Sequence, residues 1–307
     1  MRFTLQFPLH HVDEAAVRVV PPAVGEFATR AEAAGFSAIA FTEHPAPTVE
    51  WLDGPGGHAS LDPFVALGFC AAATSELRLM PYLAVVPYRN PFLLAKAATT
   101  VDALSGGRLV MVAGAGYLRG EFEALGVDFG RRLELLDELL PLWSRLCSGE
   151  SVTAAGAGWR ADGVRSVPAA VAPGGPPLWL GGNGGATLRR IAALGDGWSP
   201  LMIAPGDEAP WVRNRLETPA ALARAVRRLH DLVAEAGRAK VTPAVQVKSP
   251  ASRVSLSGFS AGALLEHVGE LQEAGATDFV IHPMDRDPGA QVELVAAIGE
   301  QVIGALR

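Results

Sequence analysis

The chain has 307 residues, of which 49% are hydrophobic and 19% are charged, and its formal net charge is −6. This length and apolar content allow one large buried core, and eight-stranded α/β barrels commonly reach this size as one domain. An acidic chain with scattered Lys and Arg lacks the basic field that attracts a phosphate backbone, so we expect no nucleic-acid partner.

The first residues lack the basic and apolar regions of a secretory signal, and no window approaches the 18 uninterrupted apolar residues of a membrane span. We therefore expect a cytoplasmic protein with no membrane partner. Cys70 and Cys147 are the only cysteines, and each stands alone in an apolar, helix-like segment. We interpret both as core residues rather than as a disulfide or a redox motif.

Short β-rich runs alternate with amphipathic helical runs, which is typical of a parallel sheet covered by helices. The predicted strands are 3–7, 38–43, 77–86, 108–114, 177–181, 197–201, 241–247 and 277–282. The helices predicted from apolar spacing at three and four residues are 22–34, 62–74, 91–104, 131–147, 185–194, 219–236, 261–274 and 289–305. These strand–helix pairs predict an α/β fold, a (β/α)8 TIM barrel, as a single domain over residues 1–307.

Residues at the joints support this alternation. Asp62 and Thr218 each precede a proline at a predicted helix start, as an N-cap residue does. Glycines that follow four predicted helices are expected to take the left-handed C-cap conformation, namely Gly35, Gly195, Gly237 and Gly275.

Two stretches rich in Gly, Pro and Ala break the regular spacing, at about 45–61 and 148–176. Loops this long inside a compact domain are usually functional. We expect lid-like insertions at the C-terminal mouth, and the first should shape the substrate site. The second could instead contain a short hairpin with 151–154 and 164–167 as its arms.

A glycine-rich run follows the fifth predicted strand and leads directly into a helix. Consecutive glycines let the backbone approach an anion, and a helix N-terminus favours a phosphate. The sequence therefore predicts a phosphate cradle, or alternatively a plain glycine-rich turn capped by Asn183 or Thr187. The residues of the cradle are Gly181, Gly182, Asn183, Gly184 and Thr187.

A second glycine pair, Gly114 and Gly116, follows the fourth strand and precedes Tyr117. It favours a cofactor, although the third glycine and the downstream acid of a dinucleotide fingerprint are missing.

His44 ends the second predicted strand and should point into the mouth, because barrel enzymes build their sites at the C-terminal strand ends. An imidazole there can donate to a cofactor or substrate carbonyl or move a proton near neutral pH. The alternative is a hydrogen-bonded structural histidine. Glu43 should face the other way in a structural ion pair, and His58, in the first insertion, is expected at the surface.

The other histidines near the mouth are His10, His11 and His282, and at most one of the adjacent pair can face the cavity. No metal-binding histidine spacing occurs, so we predict no metal site. Lys248 follows the seventh strand and is the only lysine placed for a Schiff base, as an alternative lyase or aldolase barrel would require.

Prolines run through the third strand segment, residues 80–91. Since proline removes a ladder donor, we predict a bulge that pushes backbone into the cavity. The alternative is a strand that ends at Val86 and continues as a turn. Arg89 is interpreted as a residue that pins this loop.

Several segments, taken in order, resemble the luciferase-like monooxygenase superfamily, particularly its branch that uses the deazaflavin coenzyme F420. The resemblance covers most of the chain. Its most specific segments are 36–44, 77–96, 104–109, 114–126 and 177–198.

The resemblance implies a planar flavin or deazaflavin ring across the barrel mouth. Behind the ring it implies a third-strand bulge near Tyr82 and Leu83, often with a non-prolyl cis peptide. It also implies phosphate contacts at Gly181, Gly182 and the following turn. The implied ring or ribityl contacts are His44, Gly114, Gly116 and Tyr117.

The implied activity is hydride transfer between F420 and a small organic substrate of apolar, carbonyl or alkene character, with His44 as the proton donor. The alternatives are an FMN-dependent monooxygenase and a non-catalytic flavin-binding barrel. F420-dependent sugar-phosphate dehydrogenases place an acidic residue shortly after the glycines of the fourth strand, whereas this chain has Leu118 and Arg119. The absence of this acidic residue argues against sugar-phosphate dehydrogenation.

Helices of such barrels often pair, which would give a homodimer.

Overall fold

The computed structural model describes residues 1–9, 21–54, 56–207, 209 and 212–307. The predicted mouth residues His10 and His11 lie outside the described residues. The strands are β1 (Arg2–Gln6), β2 (Ala38–Phe41), β3 (Arg78–Pro81), β4 (Ala84–Val85), β5 (Met111–Gly114), β6 (Val152–Gly156), β7 (Trp159–Val164), β8 (Leu178–Gly181), β9 (Gly197–Ser199), β10 (Ala244–Val247), β11 (Arg253–Val254) and β12 (Asp278–Pro283). The α-helices are α1 (Pro21–Ala33), α2 (Val49–Leu52), α3 (Pro63–Ala73), α4 (Pro91–Ser105), α5 (Arg119–Ala124), α6 (Arg132–Leu139), α7 (Trp143–Cys147), α8 (Gly185–Leu194), α9 (Pro219–Glu235), α10 (Ala261–Glu273) and α11 (Pro288–Ile298).

Nine of these strands form a parallel sheet in the order β3-β2-β1-β12-β10-β9-β8-β5-β4, β11 pairs with β12, and β6 and β7 form a separate antiparallel pair. Because β4 continues β3 after a short interruption, they count as one strand of the barrel. A parallel bridge between Leu79 and Leu109 joins this strand to the segment before β5 and closes the sheet. The fold is therefore the predicted (β/α)8 barrel, and its main core lies between the strands and the surrounding helices.

Local chemistry explains most element boundaries. Asp62 accepts the N–H of Phe64, and Thr218 accepts that of Ala221, so both predicted N-caps are confirmed. The left-handed conformation is confirmed for three of the four predicted C-cap glycines, with φ of 86° at Gly35, 75° at Gly237 and 99° at Gly275. The prediction for Gly195 is wrong. Its φ is −88°, because the chain runs from α8 almost directly into β9 in extended conformation.

Both insertions contain regular structure. The first includes α2, whose N-cap is Thr48. The second contains the predicted hairpin, but its second arm is β7 at 159–164 rather than 164–167. The predicted helix 131–147 is divided into α6, a 3-10 turn at 140–142 and α7, because Pro141 has no N–H to continue the ladder.

The N-terminal end of the barrel is held together by ion pairs. Buried Asp278 accepts from Arg2 at 2.7 Å and from Arg78 at 2.9 Å. Arg108 donates to four backbone carbonyls there, so the charges around a cavity of about 490 Å³ at this end are already satisfied. Since barrel enzymes work at the opposite end, we interpret this end as structural.

Cys70 and Cys147 are both buried in the core as free thiols, which confirms their interpretation as core residues. None of the described helices combines the length and the apolar character that crossing a membrane requires.

Candidate active site

The interruption between β3 and β4 forms a platform in the barrel mouth. The Tyr82-Leu83 peptide bond is cis, as the resemblance implied. The Leu83 side chain lies so close to Gly114 and Gly181 that a Cβ atom on either glycine would overlap it. These two glycines at the ends of β5 and β8 therefore make room for Leu83. We call this peptide and the Leu83 side chain the Tyr82–Leu83 platform.

The Tyr82 side chain forms the inner part of the same region. Burial raises the pKa of Tyr82 to about 12, and interaction with Ser199 offsets this only in part, so its hydroxyl stays protonated. Gly116 adopts a φ of 75°, and a Cβ there would overlap Val85 and Phe122. This conformation turns the chain so that Tyr117 comes within 6.1 Å of the His44 ring, measured between centroids.

His44 lies just beyond β2, as predicted, and its position is fixed by several contacts. Its N–H donates to Ser60 Oγ at 2.8 Å, and Ser60 Oγ donates to the His44 carbonyl at 3.1 Å. Its ring packs against Trp51 at 4.4 Å and His58 at 4.9 Å between centroids. The first insertion thus folds over His44.

Glu121 is the acidic partner of His44. Its carboxylate is 1% exposed, and Oε2 lies 3.4 Å from His44 Nδ1. The same oxygen accepts the Tyr88 hydroxyl at 2.7 Å, while Oε1 accepts the Ala46 N–H at 3.4 Å. Burial, followed by the bond to Glu121, raises the pKa of Tyr88, so this hydroxyl stays a donor.

This role of Glu121 was not predicted from the sequence. The positions shortly after the glycines of the fourth strand are Leu118 and Arg119, but the chain first enters α5 and presents the Glu121 carboxylate one helical turn later. The short α5 was itself not predicted. The only available indication in the sequence was an acidic residue next to an aromatic one, and the structure buries both Glu121 and Phe122.

The expectation for His58 is wrong, because this residue is not a simple surface histidine. Its Nε2 lies 3.2 Å from Thr42 Oγ1, and its Nδ1 lies 3.0 Å from the Gly56 carbonyl. The loop after α2 folds back over the strand end, and no local sequence pattern specifies that contact.

Arg89 pins the loops beside the mouth, as predicted. Its guanidinium pairs with Glu43 and with Asp62, the latter at 2.8 Å. The second Glu43 oxygen accepts the Val85 N–H at 2.6 Å, which confirms a structural ion pair for Glu43 and fixes β4. This pair anchors the Tyr82–Leu83 platform from behind.

The glycine-rich run ends at the N-terminus of α8. Gly182 has a φ of 108°, and Gly184 is the N-cap without a capping side chain. Asn183 turns away from this terminus: its amide donates to the Leu201 carbonyl at 2.7 Å and accepts the Leu201 N–H at 3.0 Å. Thr187 lies in the first turn of α8, with its hydroxyl facing Gly182.

A second polar group lies on the opposite side of the mouth. Lys248 Nζ donates to Gln6 Oε1 at 2.6 Å and lies 5.8 Å from the centroid of the Tyr82 ring. Gln6 Nε2 lies 3.3 Å from His282 Nε2, which places His282 at the mouth as predicted. Burial, with a smaller contribution from Arg253, lowers the pKa of Lys248 to about 8.

Trp51, Trp159 and Trp198 lie in different parts of the fold, and of these three only Trp51 lies beside His44. Trp159 packs against Phe92 at 5.5 Å on the hairpin, and buried Trp198 donates its Nε1–H to the Gly182 carbonyl at 2.8 Å. Within the described residues, no group of three or more His, Cys, Asp and Glu side chains is arranged to hold a metal ion.

The chain matches the luciferase-like monooxygenase family over residues 1–252, and it belongs to this family. It is 28% identical over 268 residues to an uncharacterised protein of Mycobacterium tuberculosis, covering 83% of this chain and 82% of the relative.

Solved structures share the whole fold at low sequence identity. The coenzyme F420 dependent tetrahydromethanopterin reductase from Methanopyrus kandleri has a TM-score of 0.73 at 15% identity, covering 100% of this chain and 99% of that one. The FMN-bound oxygenating constituent of 3,6-diketocamphane monooxygenase from Pseudomonas putida has a TM-score of 0.73 at 15% identity, covering 98% of both chains. These neighbours thus include both F420-dependent and FMN-binding enzymes.

Proposed function

We propose that this protein is an F420-dependent oxidoreductase that transfers a hydride between the deazaflavin and a small organic substrate of apolar, carbonyl or alkene character. The observation that carries the proposal is the arrangement of His44, backed by Glu121, beside the Tyr82–Leu83 platform. A flat backing surface and an oriented proton donor are what a hydride transfer coupled to a proton transfer requires.

The N-terminal end of α8 fits the phosphate of such a cofactor. Its first turn has no capping side chain among the described residues, so backbone N–H groups and the positive end of the helix dipole are available to an anion. A Cβ on Gly184 would meet no atom within 4 Å, so the space beside the N-cap is open. We assign the phosphate to Gly184, Gly185 and Thr187, with exposed Arg189 one turn further along.

The remaining assigned contacts surround the ring. When bound, the deazaflavin supplies a two-electron hydride donor or acceptor. The Tyr82–Leu83 platform would hold the ring in place, while Gly114, Gly116 and Tyr117 border it on the side of β5. Gly181 and Gly182 contribute backbone at the end of β8, and Asn183 fixes that backbone to Leu201.

His44 is the proposed catalytic residue. Because its Nδ1 faces Glu121, Nε2 is the nitrogen left to give or take a proton at the substrate. The packed rings of Trp51 and His58 would exclude water from that proton transfer.

An FMN-dependent monooxygenase is the second candidate, and the FMN-bound Pseudomonas putida neighbour supports it. The platform and the α8 terminus would serve FMN equally, because both cofactors combine a planar tricyclic ring with a phosphate. A non-catalytic flavin-binding barrel is the third, and turnover with any reductant excludes it.

Titration of the purified protein with F420 and with FMN, followed by fluorescence, tests the proposal. We expect F420 to bind with micromolar affinity and FMN to bind more weakly. Binding of FMN alone, with oxygen consumption, would overturn the F420 assignment in favour of the monooxygenase.

Two substitutions at one position test the phosphate site. Gly184→Asp places a carboxylate at the N-cap, where it competes with phosphate, and should weaken F420 binding roughly tenfold or more, about 1.4 kcal/mol. Gly184→Ala is the matched control, since it adds a methyl group in the same space without a charge, and it should weaken binding much less than Gly184→Asp does. Equal affinities of the two variants would exclude this site.

We also propose that two copies pair through the outer faces of α3 and α4. Four large apolar side chains are exposed on these adjacent helices: Val65 (64%), Phe69 (50%), Leu93 (67%) and Leu104 (67%). An apolar patch of this kind is typical of a subunit interface. Phe69→Glu should yield monomers in light scattering, whereas Leu306→Glu, an equally exposed control, should not.

A cytoplasmic location is part of the proposal. Burial raises the pKa of both thiols, Cys70 and Cys147, to about 12, so they stay protonated and unreactive. A protein with reduced cysteines and no disulfide suits a reducing compartment. Cell fractionation with an antibody against the full chain would test this location.

A further inference from the structure

Lys248 carries a positive charge in the barrel mouth, and no carboxylate in the described part of the chain balances it. The residue follows β10 and forms a parallel bridge with Leu201 at the top of the barrel. Its Nζ donates to Gln6 Oε1, a neutral acceptor, and no Asp or Glu of the described residues forms an ion pair with it. The ammonium is therefore held in position but not neutralised.

The surroundings of Lys248 add positive charge rather than negative charge. Arg253 contributes to lowering the pKa of Lys248, and in the sheet it lies opposite His282. Gln6 is 2% exposed and directs its other amide atom to His282. The last neighbour is the Tyr82 ring, whose hydroxyl stays protonated.

The polar side chains in the layer below are neutral and are hydrogen-bonded to one another. Gln246 Nε2 donates to Thr4 Oγ1 at 2.8 Å, and Ser199 Oγ donates to Gln246 Oε1 at 3.2 Å. These buried side chains satisfy one another, so the polar interior of the barrel is complete without Lys248.

An uncompensated ammonium in a half-buried site costs stability, and an apolar side chain of the same length would avoid that cost. A perturbed ionisable group in a barrel mouth is a typical feature of a binding or catalytic site. The missing element is an anion of suitable size beside the Tyr82–Leu83 platform.

We propose that Lys248, held by Gln6 and with Arg253 nearby, binds a carboxylate on the organic substrate. The substrate class is then an organic acid, with its acidic group on the Lys248 side and its reacting centre toward His44. The reaction of this acid rests on the proposed function, whereas the anion site can be tested without any cofactor.

Competitive acylation of the intact protein by trace acetic anhydride measures the reactivity of each lysine across a pH series. Lys248 should titrate well below the ordinary lysine value of 10.5, and exposed Lys240 is the internal reference for reactivity. Millimolar benzoate should slow acylation of Lys248 severalfold and move its titration to higher pH, since a bound anion favours the ammonium. Benzamide, a neutral molecule of the same shape, should have no effect on either lysine.

Two results of this labelling would overturn the proposal. Acylation of Lys248 that is unaffected by benzoate would mean that no anion binds there. Equal protection by benzoate and benzamide would identify an apolar pocket instead of a carboxylate site.

A second experiment separates the substrate from the cofactor as the source of the anion. In the wild type, benzoate bound at Lys248 should raise the affinity for F420, because it fills the substrate side of the mouth. Lys248→Met should keep the F420 affinity of the wild type within about twofold and should lose this effect of benzoate. A large loss of F420 affinity would assign the ammonium to the cofactor and overturn the proposal. If neither F420 nor FMN binds the wild type, the proposed function fails, while the labelling result still decides the anion site.

Reductive trapping tests the remaining alternative, a covalent role of Lys248. Sodium borohydride and an α-keto acid should leave no stable adduct on this residue, because the bound carboxylate keeps the ammonium protonated and the keto group lies toward His44. A trapped adduct detected by mass spectrometry would replace the carboxylate site by a Schiff-base site.

Discussion

The two sides of the barrel mouth differ in how their charges are balanced. On the His44 side, the Glu121 carboxylate faces imidazole Nδ1 and accepts the Tyr88 hydroxyl, so the protein itself orients the imidazole and leaves Nε2 for the substrate. On the Lys248 side, the partners of the ammonium among the described residues are a neutral amide acceptor and a cationic neighbour. The first side is electrostatically complete in the protein alone, whereas the second is completed by a ligand in our proposal.

This difference indicates that the two sides of the mouth have different roles. A proton donor must be oriented before the substrate arrives, because reorientation during the reaction would raise the barrier. A residue that anchors a substrate, by contrast, contributes most to binding when the ligand itself supplies the opposite charge. The platform between the two sides fixes where the reacting atoms meet.

The largest expected effect is the fall in turnover when His44 is substituted. His44→Asn keeps a polar side chain but removes the proton donor, so turnover with F420 should fall about 100-fold or more. Cofactor affinity should change much less, as fluorescence titration would measure. His230→Asn, on the exposed face of α9, is the control and should keep full activity. Unchanged turnover of His44→Asn would remove catalysis from this side of the mouth.

The next effect concerns the carboxylate behind His44. Glu121→Gln preserves shape but removes the charge that orients the imidazole, and we expect turnover to fall roughly 10-fold to 100-fold. Glu123→Gln, exposed on the same short helix α5, is a matched control with wild-type activity expected. Circular dichroism and thermal unfolding would establish that Glu121→Gln folds. Equal activities of the two variants would mean that Glu121 is only structural.

The smallest effect is a pH-dependent difference in stability on the Lys248 side. The pKa of Lys248 is about 8 in the folded protein and 10.5 for the ordinary side chain, so the unfolded chain binds more protons between these values. The fold is penalised below pH 8, and this penalty disappears as the pH rises toward 10.5. Lys248→Met should thus be more stable than the wild type at pH 7 by about 1 kcal/mol, after the loss of the Gln6 bond is counted.

Urea unfolding at pH 7 and at pH 10 would measure that difference. The advantage of Lys248→Met should shrink at the higher pH, because the wild-type lysine is then neutral in the fold. Lys240→Met, at an exposed position, should differ from the wild type by the same small amount at both values. A pH-independent difference for Lys248→Met would show that its ammonium is well solvated.

The order of strands and helices was predictable, because each pair carries its own periodicity and caps. All eight barrel strands fall within a few residues of their predicted positions. Asp62 and Thr218 cap their helices by accepting N–H groups that lie two or three residues further along the chain. The errors lie where periodicity is weak. The short helix α5 is too brief to show a helical pattern, and Pro141 divides a segment whose apolar spacing runs on.

Single residues of the site were predictable from their place at strand ends, as for His44, Lys248 and His282. Their partners were not. Glu121 lies 77 positions after His44, and Gln6 lies 242 positions before Lys248. Such pairs form only when the barrel closes, and no spacing rule connects residues so far apart.

The role of the glycines at the mouth could also be predicted only in part. The sequence places Gly114 and Gly181 at the ends of two strands, where a cofactor is expected to approach the backbone. Only the tertiary structure brings Leu83 against both of them, because β4 lies beside β5, and β8 lies on its other side. Sequence alone thus determined the barrel and the positions that border its mouth, since those depend on local patterns. Which charges face each other across the mouth depended on barrel closure, which unites residues from distant parts of the chain.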